Sequence, residues 1–568
     1  MSRIDLLLSA CENKGFTGYF LTTADEWGNE YPPAHTRRLE WLTGFTGSNG
    51  LVIVTRQGLL FATDGRYLLQ AEKQIEGNWE ILDISSAEFK NRVSSISGKI
   101  AFDPMLISIS QCNKLAKLLN NLVPCEDKLI DNLWQGRPAF PQSEVINLPF
   151  SASGLESVQK IENIRRDIDK QADALLLTSP ESIAWLLNIR ANDLKFCPVL
   201  LAYALLWKDG VVELFTDNEN LPNNLRLISK PLSLLPMRCL YLTADGKKIQ
   251  FDSDRTPFWF SHNCPMYINK PDPCLLPKAC KNEVELQGMR EAHFKDGLAV
   301  TKFIYWLCTN YQEQEIDEIT AANKLYELRL LCPEFKEDSF ATISAFAGNG
   351  AIIHYHADQA SKKLITGDGF YLIDSGGQYA FGTTDITRTI AIGNLSNEQK
   401  MHYTLVLKGH ISLARAVFPQ GTSGHQLDAL ARIHLWQHGL DYAHGTGHGV
   451  GHYLNVHESP PRIAKVVSDN YPLKKGMVVS NEPGFYKRDE YGIRIENLME
   501  VTEADCNGFL KFSSLTQVPI DCRPVLWELL TEQEKDWLLQ YNQKALELYN
   551  DFMYGAELTW FKEKFINL

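Results

Sequence analysis

YLIDSG at 371–376, TTDITR at 383–388, HGTGHGVG at 444–451, SNEPG at 480–484 and GIRIEN at 492–497 succeed one another in the C-terminal half of a 568-residue chain. In these stretches apolar residues that suit strands carry polar ones outward. Tyr371, Leu372 and Ile373 lead to Asp374, and Ile493 and Ile495 flank Arg494 and Glu496. Asp385 stands eleven residues after Asp374, across Gly376 and Gly377. The spacing predicts a hairpin with that Gly-Gly turn, setting the two aspartates side by side on adjacent antiparallel strands. Glu482 precedes Pro483-Gly484, which fixes a turn. Glu496 follows Arg494 by two, so both are expected on one face of a strand that ends there. Four carboxylates brought within a few Å cannot all ionise unless positive charge lies between them. Together with His448 they suggest a pocket for divalent cations.

Of the fourteen histidines, eleven lie between His354 and His457, so crowding alone decides nothing. His402, His410, His425, His434 and His438 fall in two helices that open with capping boxes, Ser396 with Gln399 and Ser423 with Gln426. Gly439 stops the second helix. Those five are assigned to structure, and His356 and His452 lean the same way. His444 and His448 differ, because HGTGHG is loop-like and brings two imidazoles close to bare backbone. The rival reading of its glycines is a phosphate cradle, but the lysine and the strand-to-helix context of such a loop are missing.

Upstream, Asn282 is expected to cap a long helix with Glu283 and Glu285 in its first turn. Its apolar stripe is Leu286, Met289, His293, Val300, Phe303, Ile304 and Leu307. A second amphipathic helix follows at 316–330. Nearer the N-terminus, strands at 51–55 and 59–62 flank a turn, and the section from Ser182 repeats the theme. Trp41 parallels Trp185, and ATD at 62–64 parallels FTD at 215–217, so two domains of one architecture are expected. Proline-bearing segments at 137–142 and 270–278 close the two copies, the second being expected to forbid a continuing helix. Beyond Arg523 a tail rich in Trp and Tyr carries a helix opened by Thr531 and Glu534. Trp537, Tyr541, Ala545 and Leu548 lie on one face of it, to pack on its own domain or on a second subunit.

Composition bounds the remaining choices. A hydrophobic share of 44%, a charged share of 22% and a net charge of −13 describe a globular chain, and weigh against nucleic acid or an anionic membrane surface as main partner. The start MSRIDLLLSACENKG lacks a signal-length apolar run, and no stretch reaches transmembrane length; the longest, 198–207, reads as a buried strand. Twelve cysteines without a CxxC pair read as reduced thiols, and the expectation is a cytoplasmic protein.

The series Asp374, Asp385, His448, Glu482 and Glu496, with IIHY at 352–355 and VHE at 456–458, closely resembles the dinuclear metallopeptidases of the pita-bread fold. That group includes methionine aminopeptidase, prolidase and aminopeptidase P. KNEVELQGMREAH at 281–293, the doubled N-terminal domain and the aromatic tail resemble the long three-domain aminopeptidase P. The resemblance implies a mixed α+β (α/β) architecture. Creatinase-like domains are expected at 1–140 and 141–280, a pita-bread metallopeptidase domain at 281–512 and a short helical C-terminal extension at 513–568.

By the same resemblance Asp374 chelates one ion, Asp385 and Glu496 bridge two, and His448 and Glu482 complete the second. Hard oxygen donors favour Mn²⁺, with Zn²⁺, Co²⁺ or Fe²⁺ able to replace it. Paired ions about 3.5–4 Å apart lower the pKa of a bridging water enough to supply hydroxide for attack on the first carbonyl. Glu482 is read as the proton shuttle to the leaving nitrogen. Relatives imply His354 and His457 as hydrogen-bonding partners of substrate and intermediate, with His444 lining the pocket. Phe340, Tyr486 and Arg494 are substrate-shell candidates, and Arg494 also suits a role holding a metal-site carboxylate. The implied activity is release of the N-terminal residue from peptides with a free amino terminus and proline second, by a homodimer whose extra N-terminal domains wall one end of the pocket. A prolidase confined to Xaa-Pro dipeptides is the alternative. A peptide binder without catalysis, or a creatine hydrolase, is disfavoured because all five ligands are present.

Overall fold

The strand–turn–strand theme read twice in the sequence is built twice. The computed structural model describes residues 2–467 and 471–566. It divides into one unit of Met1–Pro149 and Leu155–Leu275 and another of Phe150–Gly154 and Leu276–Leu568. In the first unit one sheet runs in the order Trp79–Asp83, Gly58–Thr63, Leu51–Thr55, Gly18–Thr22, Ile100–Phe102 and Leu122–Pro124. The three strands first in sequence pair antiparallel and the others parallel. A second sheet runs Ser229–Lys230, Val212–Phe215, Tyr203–Trp207, Ala174–Leu177, Ile249–Phe251 and Tyr267–Asn269, with the same senses of pairing. Trp41 lies on helix Arg38–Thr43 ahead of the second strand of its sheet, and Trp185 on helix Pro180–Leu187 ahead of its counterpart. ATD and FTD both fall at the end of the third strand. The duplication therefore holds strand for strand.

The run at 198–207 is only half a strand. The ladder begins at Tyr203, while residues 198–202 are buried outside it. Pro198 has no N–H to give a ladder, and the Leu201 N–H is bonded to the Asp193 carboxylate at 2.9 Å. The proline segment at 270–278 also departs from expectation, because a short helix, Leu275–Ala279, contains Pro277. In a first turn proline removes only an N–H that has no helical partner, so it is tolerated there.

In the second unit the cap of Asn282 forms with Glu285 as a capping box, and helix Glu283–Asn310 buries the whole expected stripe. With Glu318–Leu330 it covers the sheet of Ile343–Phe346, Gly369–Ser375 and Ile386–Ile392. Val300, Phe303, Ile304, Leu307 and Leu325 meet Tyr371, Ile373, Ile386 and Ile390 in one core. Helices Asn397–Ala414 and Gly424–Trp436 similarly place Leu413, Leu427 and Ala431 against Ile463, Val479, Met499 and Val501 of a six-stranded sheet. Each sheet thus buries one face under two helices, and its alternate residues are free to point the other way.

The tail packs on this same unit rather than waiting for a second subunit. Val518, Leu546, Tyr549, Met553, Phe561 and Phe565 join the core of Phe303 and Tyr371, and Leu538 and Tyr541 join that of Tyr403. The helix opened by Thr531 and Glu534 forms as expected, and the two residues build a capping box at its start. Leu548, expected on the packed face, is exposed; Leu538, Asn542 and Leu546 take that face with Tyr541 and Ala545.

A buried ion triplet ties the start of this unit to the six-stranded sheet. Glu458 accepts from Lys278 Nζ at 2.6 Å and Lys281 Nζ at 2.5 Å, with all three side chains at most 3% exposed. Taking away one partner leaves charge stranded in a medium that solvates it poorly. Glu458→Gln is therefore expected to lower the unfolding free energy by about 3–5 kcal/mol in urea titration. A change within about 0.5 kcal/mol, the size of an ordinary surface substitution, would show that the lysines reach water without it.

Candidate metal centre

Strand alternation supplies the first ligand. Along Gly369–Ser375 the odd residues Tyr371 and Ile373 enter the helix-covered core, so the even ones, ending in Asp374, face the opposite side. Asp374 pairs in register with Thr387 of Ile386–Ile392, and Asp385 lies just before that strand, two residues from Thr387. The hairpin is longer than expected. Gly376 and Gly377 do not turn; Gly377–Tyr379 and Gly382–Thr383 form a second small ladder, and the chain reverses at Ala380 and Phe381.

The other side chains come from the six-stranded sheet and its neighbours. Gly447–Gly449, expected as a loop, is a short strand that puts His448 inside the sheet. Its glycines serve close packing, since a Cβ on Gly447 would run into the Ser480 carbonyl. Glu482 follows strand Val478–Asn481. Glu496 is not on a strand shared with Arg494. The ladder Tyr491–Arg494 stops, and a new strand, Asn497–Glu503, begins one residue after Glu496. The break has a cause: the Glu496 N–H bonds to the Thr387 carbonyl at 3.1 Å, and the Glu496 carbonyl accepts from Arg388 Nη1 at 2.7 Å.

These elements converge. Among the described residues, ligand atoms of Asp374, Asp385 and Glu496 lie within 4.8 Å of one another, as do those of His448, Glu482 and Glu496, and of Asp385, His448 and His457. The groups overlap at Asp385, His448 and Glu496, so they describe one continuous cluster. His448 Nε2 is 3.4 Å from Asp385 Oδ2 and 3.5 Å from Glu482 Oε1. Its Nδ1 is 2.8 Å from the Gly449 carbonyl, which can only accept, so Nδ1 carries the proton and the Nε2 lone pair is left for a cation among the carboxylates. That is the tautomer a metal ligand needs.

Electrostatics point the same way. Burial pushes the Asp374 carboxyl up to about 6, although Arg494 opposes the shift. Burial raises Glu482, with Asp385 adding to the shift and His448 opposing it. Burial, Asp385 and Asp374 hold Glu496 well above the carboxylate range. Among the described residues, Asp374 Oδ1 and Glu496 Oε1 are buried without a hydrogen-bond partner. Orphaned carboxylate oxygens facing one another fit cations as their missing partners.

Arg494 and its neighbours hold the cluster. Arg494 Nη2 donates to Asp374 Oδ2 at 2.6 Å and Nη1 to the Tyr486 hydroxyl at 2.7 Å. Tyr486, pushed up to about 12 by burial, lies 2.8 Å from His444 Nε2. Arg494 Nε also donates to Thr387 Oγ1, which donates to Glu496 Oε2 at 2.8 Å. Ser480 Oγ accepts from the His448 N–H and donates to Glu482 Oε1. Thr387 and Ser480 lie inside the motifs read at the outset but had no role assigned; hydroxyls two residues from a ligand on the same strand face were the available signal.

His457 packs its ring edge against His448 with centroids 4.5 Å apart. His354 is half-buried in the segment after Ala347–Ala351, and Phe340 is buried in the turn before Ile343–Phe346, whose Ile343 pairs with Asp374. Four of the helical histidines bond to structural partners, His402 the Tyr491 hydroxyl, His410 the Asn481 carbonyl, His425 the Ala464 carbonyl and His434 Ser412, while His438, expected in the second helix, lies exposed beyond its end at Trp436. His356 is exposed and His452 buried.

The shifts fix a pH dependence. Groups whose folded pKa is raised bind more protons in the folded than in the unfolded state between about pH 4 and their folded values, so metal-free stability falls as pH rises through that window. Cations bind the ionised form and reverse the trend. Chelator-stripped protein is expected to lose melting temperature from pH 5 to pH 7 relative to the metal-loaded form. Parallel melting curves would contradict the burial of ionisable ligands.

Residues 3–133 and 136–285 match models of the creatinase/prolidase N-terminal domain, 287–503 the metallopeptidase family M24, and 508–566 the C-terminal region of peptidase M24. A probable Xaa-Pro aminopeptidase P of Laccaria bicolor is 36% identical over 595 residues, covering 99% of this chain and 92% of its own. One of Fusarium vanettenii is 37% identical over 609 residues, covering 99% and 98%. The crystal structure of X-prolyl aminopeptidase from Caenorhabditis elegans, described as a cytosolic enzyme with a di-nuclear active site, superposes with a TM-score of 0.93 at 33% identity, over 99% of both chains. Among the described residues no helix is long and apolar enough to cross a membrane.

Proposed function

The chain belongs to the Xaa-Pro aminopeptidase P family of M24 metallopeptidases, and from that premise we propose that it is a metal-dependent aminopeptidase removing the first residue of peptides with proline second. The observation that carries this reading is the overlap of the ligand groups at Asp385, His448 and Glu496. Asp374, Asp385 and Glu496 would hold one ion, and His448 and Glu482 the other, with Asp385 and Glu496 shared. All but one are oxygen donors, which favours Mn²⁺. When bound, a pair of divalent cations supplies Lewis acidity and a water activated at neutral pH.

The remaining work falls to the protein. Arg494 fixes Asp374 by a short charge-assisted bond that opposes its protonation, and through Thr387 it orients Glu496. Glu482 Oε1 is steered by Ser480, and from there it would take a proton from the attacking water and pass it to the leaving nitrogen. A prolyl nitrogen carries no hydrogen of its own, so it depends on that transfer. His457, whose ring packs beside His448, and His354 would serve as hydrogen-bond partners of the substrate carbonyl. His444, polarised by the Tyr486 hydroxyl, lines the pocket, with Phe340 as an apolar wall. The proposed division of the chain is 1–140, 141–280, 281–512 and 513–568, acting as a cytoplasmic homodimer.

With Mn²⁺, a tripeptide with proline second is expected to be cleaved at least about 100-fold faster than its alanine counterpart, and Glu482→Gln to lose about 10²–10⁴-fold in kcat. Equal rates on both peptides would overturn the specificity, and cleavage of Xaa-Pro dipeptides alone would favour the prolidase reading. A monomer mass by light scattering would overturn the dimer.

A further inference from the structure

Between the strands Ile343–Phe346 and Gly369–Ser375 the chain makes a long excursion whose only regular part is the 3-10 turn Ala347–Ala351. It carries His354 and ends near Lys363. A loop of this length with so little ladder of its own needs something to hold it. The structure supplies one buried carboxylate. Glu318, the first residue of helix Glu318–Leu330, is 0% exposed. Its Oε1 accepts from the Phe346 N–H at 2.6 Å and from Asn349 Nδ2 at 3.0 Å. Its Oε2 accepts from Asn349 Nδ2 at 3.0 Å, the Tyr355 hydroxyl at 2.9 Å and the Lys363 N–H at 3.0 Å. The backbone joins in: the Glu318 N–H donates to the Lys363 carbonyl, and the Glu318 carbonyl accepts from Ser344 Oγ. One side chain therefore binds the segment before, within and at the end of the loop, including Tyr355 next to His354.

We propose that Glu318 is a positioning residue, a clamp that closes the 347–363 loop and thereby sets His354 against the substrate. The proposal rests on the reading of His354 given above. Glu318 acts on the reaction only through the loop, because every partner of its carboxylate lies in residues 346–363. The carboxylate is suited to this because it is acceptor-only and meets donors alone. Glutamine in its place keeps the size but turns an NH₂ toward two of those donors, so it cannot satisfy the set.

The test uses the full metal-loaded chain and three variants, Glu318→Gln, His354→Ala and both together. Misplacing a catalytic contact by about 1 Å costs up to about 100-fold, so Glu318→Gln is expected to lower kcat by about 10- to 100-fold with metal content unchanged. Because the clamp works through His354, the double variant is expected within about threefold of His354→Ala alone. Amide hydrogen exchange across 347–363 is expected to speed up in Glu318→Gln and not in His354→Ala. Multiplying losses in the double variant, or unchanged exchange in Glu318→Gln, would overturn the clamp. Wild-type turnover by His354→Ala with faster exchange in Glu318→Gln would instead overturn the reading of His354. Should Glu318→Gln not fold, Tyr355→Phe removes one donor of the same clamp and carries the same comparison, with a smaller loss.

Discussion

The energetic difficulty of this molecule is concentrated where Asp374, Asp385, Glu482 and Glu496 meet around His448, nearly out of water. Carboxylates gathered in such a place repel one another and are poorly solvated, and the raised proton affinities of Asp374, Glu482 and Glu496 express that cost. A fold keeps such a cluster only if something compensates it. Arg494 compensates one carboxylate, and the orphaned oxygens of Asp374 and Glu496 show where further positive charge is needed.

Much of the surrounding structure is arranged to keep these groups from relaxing apart. Strand Ile386–Ile392 is central to this. Its Thr387 side chain faces the cluster, and its neighbour Arg388 points the other way into the tail. Arg388 is fully buried and gives its donors to neutral acceptors: the carbonyls of Thr387, Glu496, Val518 and Pro519, the Asn497 side chain and the Tyr541 hydroxyl. The aromatic tail is thus joined through one guanidinium to the backbone of a ligand. That accounts for a C-terminal region packed into the same core as the helix Glu283–Asn310.

What could be read beforehand was what short-range pattern encodes. An apolar run led to Asp374, capping residues marked four helix starts at Asn282, Ser396, Ser423 and Thr531, and the repeat of Trp41 in Trp185 exposed the duplication. The spacing of acids and His448 identified the cluster. What stayed hidden depends on partners distant in sequence. Nothing near Glu496 tells that Thr387 and Arg388 will interrupt its strand, and a Gly-Gly pair gives no hint that the reversal waits until Ala380. Glu318 stands out in no local pattern. Its partners are some thirty to forty-five residues away.

The role of the cluster turns on whether it holds two cations. Equilibrium dialysis of the stripped chain against Mn²⁺, read by elemental analysis, measures this directly. Two ions per chain are predicted, with the count falling when Glu496, shared by two ligand groups, is replaced by alanine. Only trace metal in the unaltered chain, or an unchanged count of two in Glu496→Ala, would contradict it.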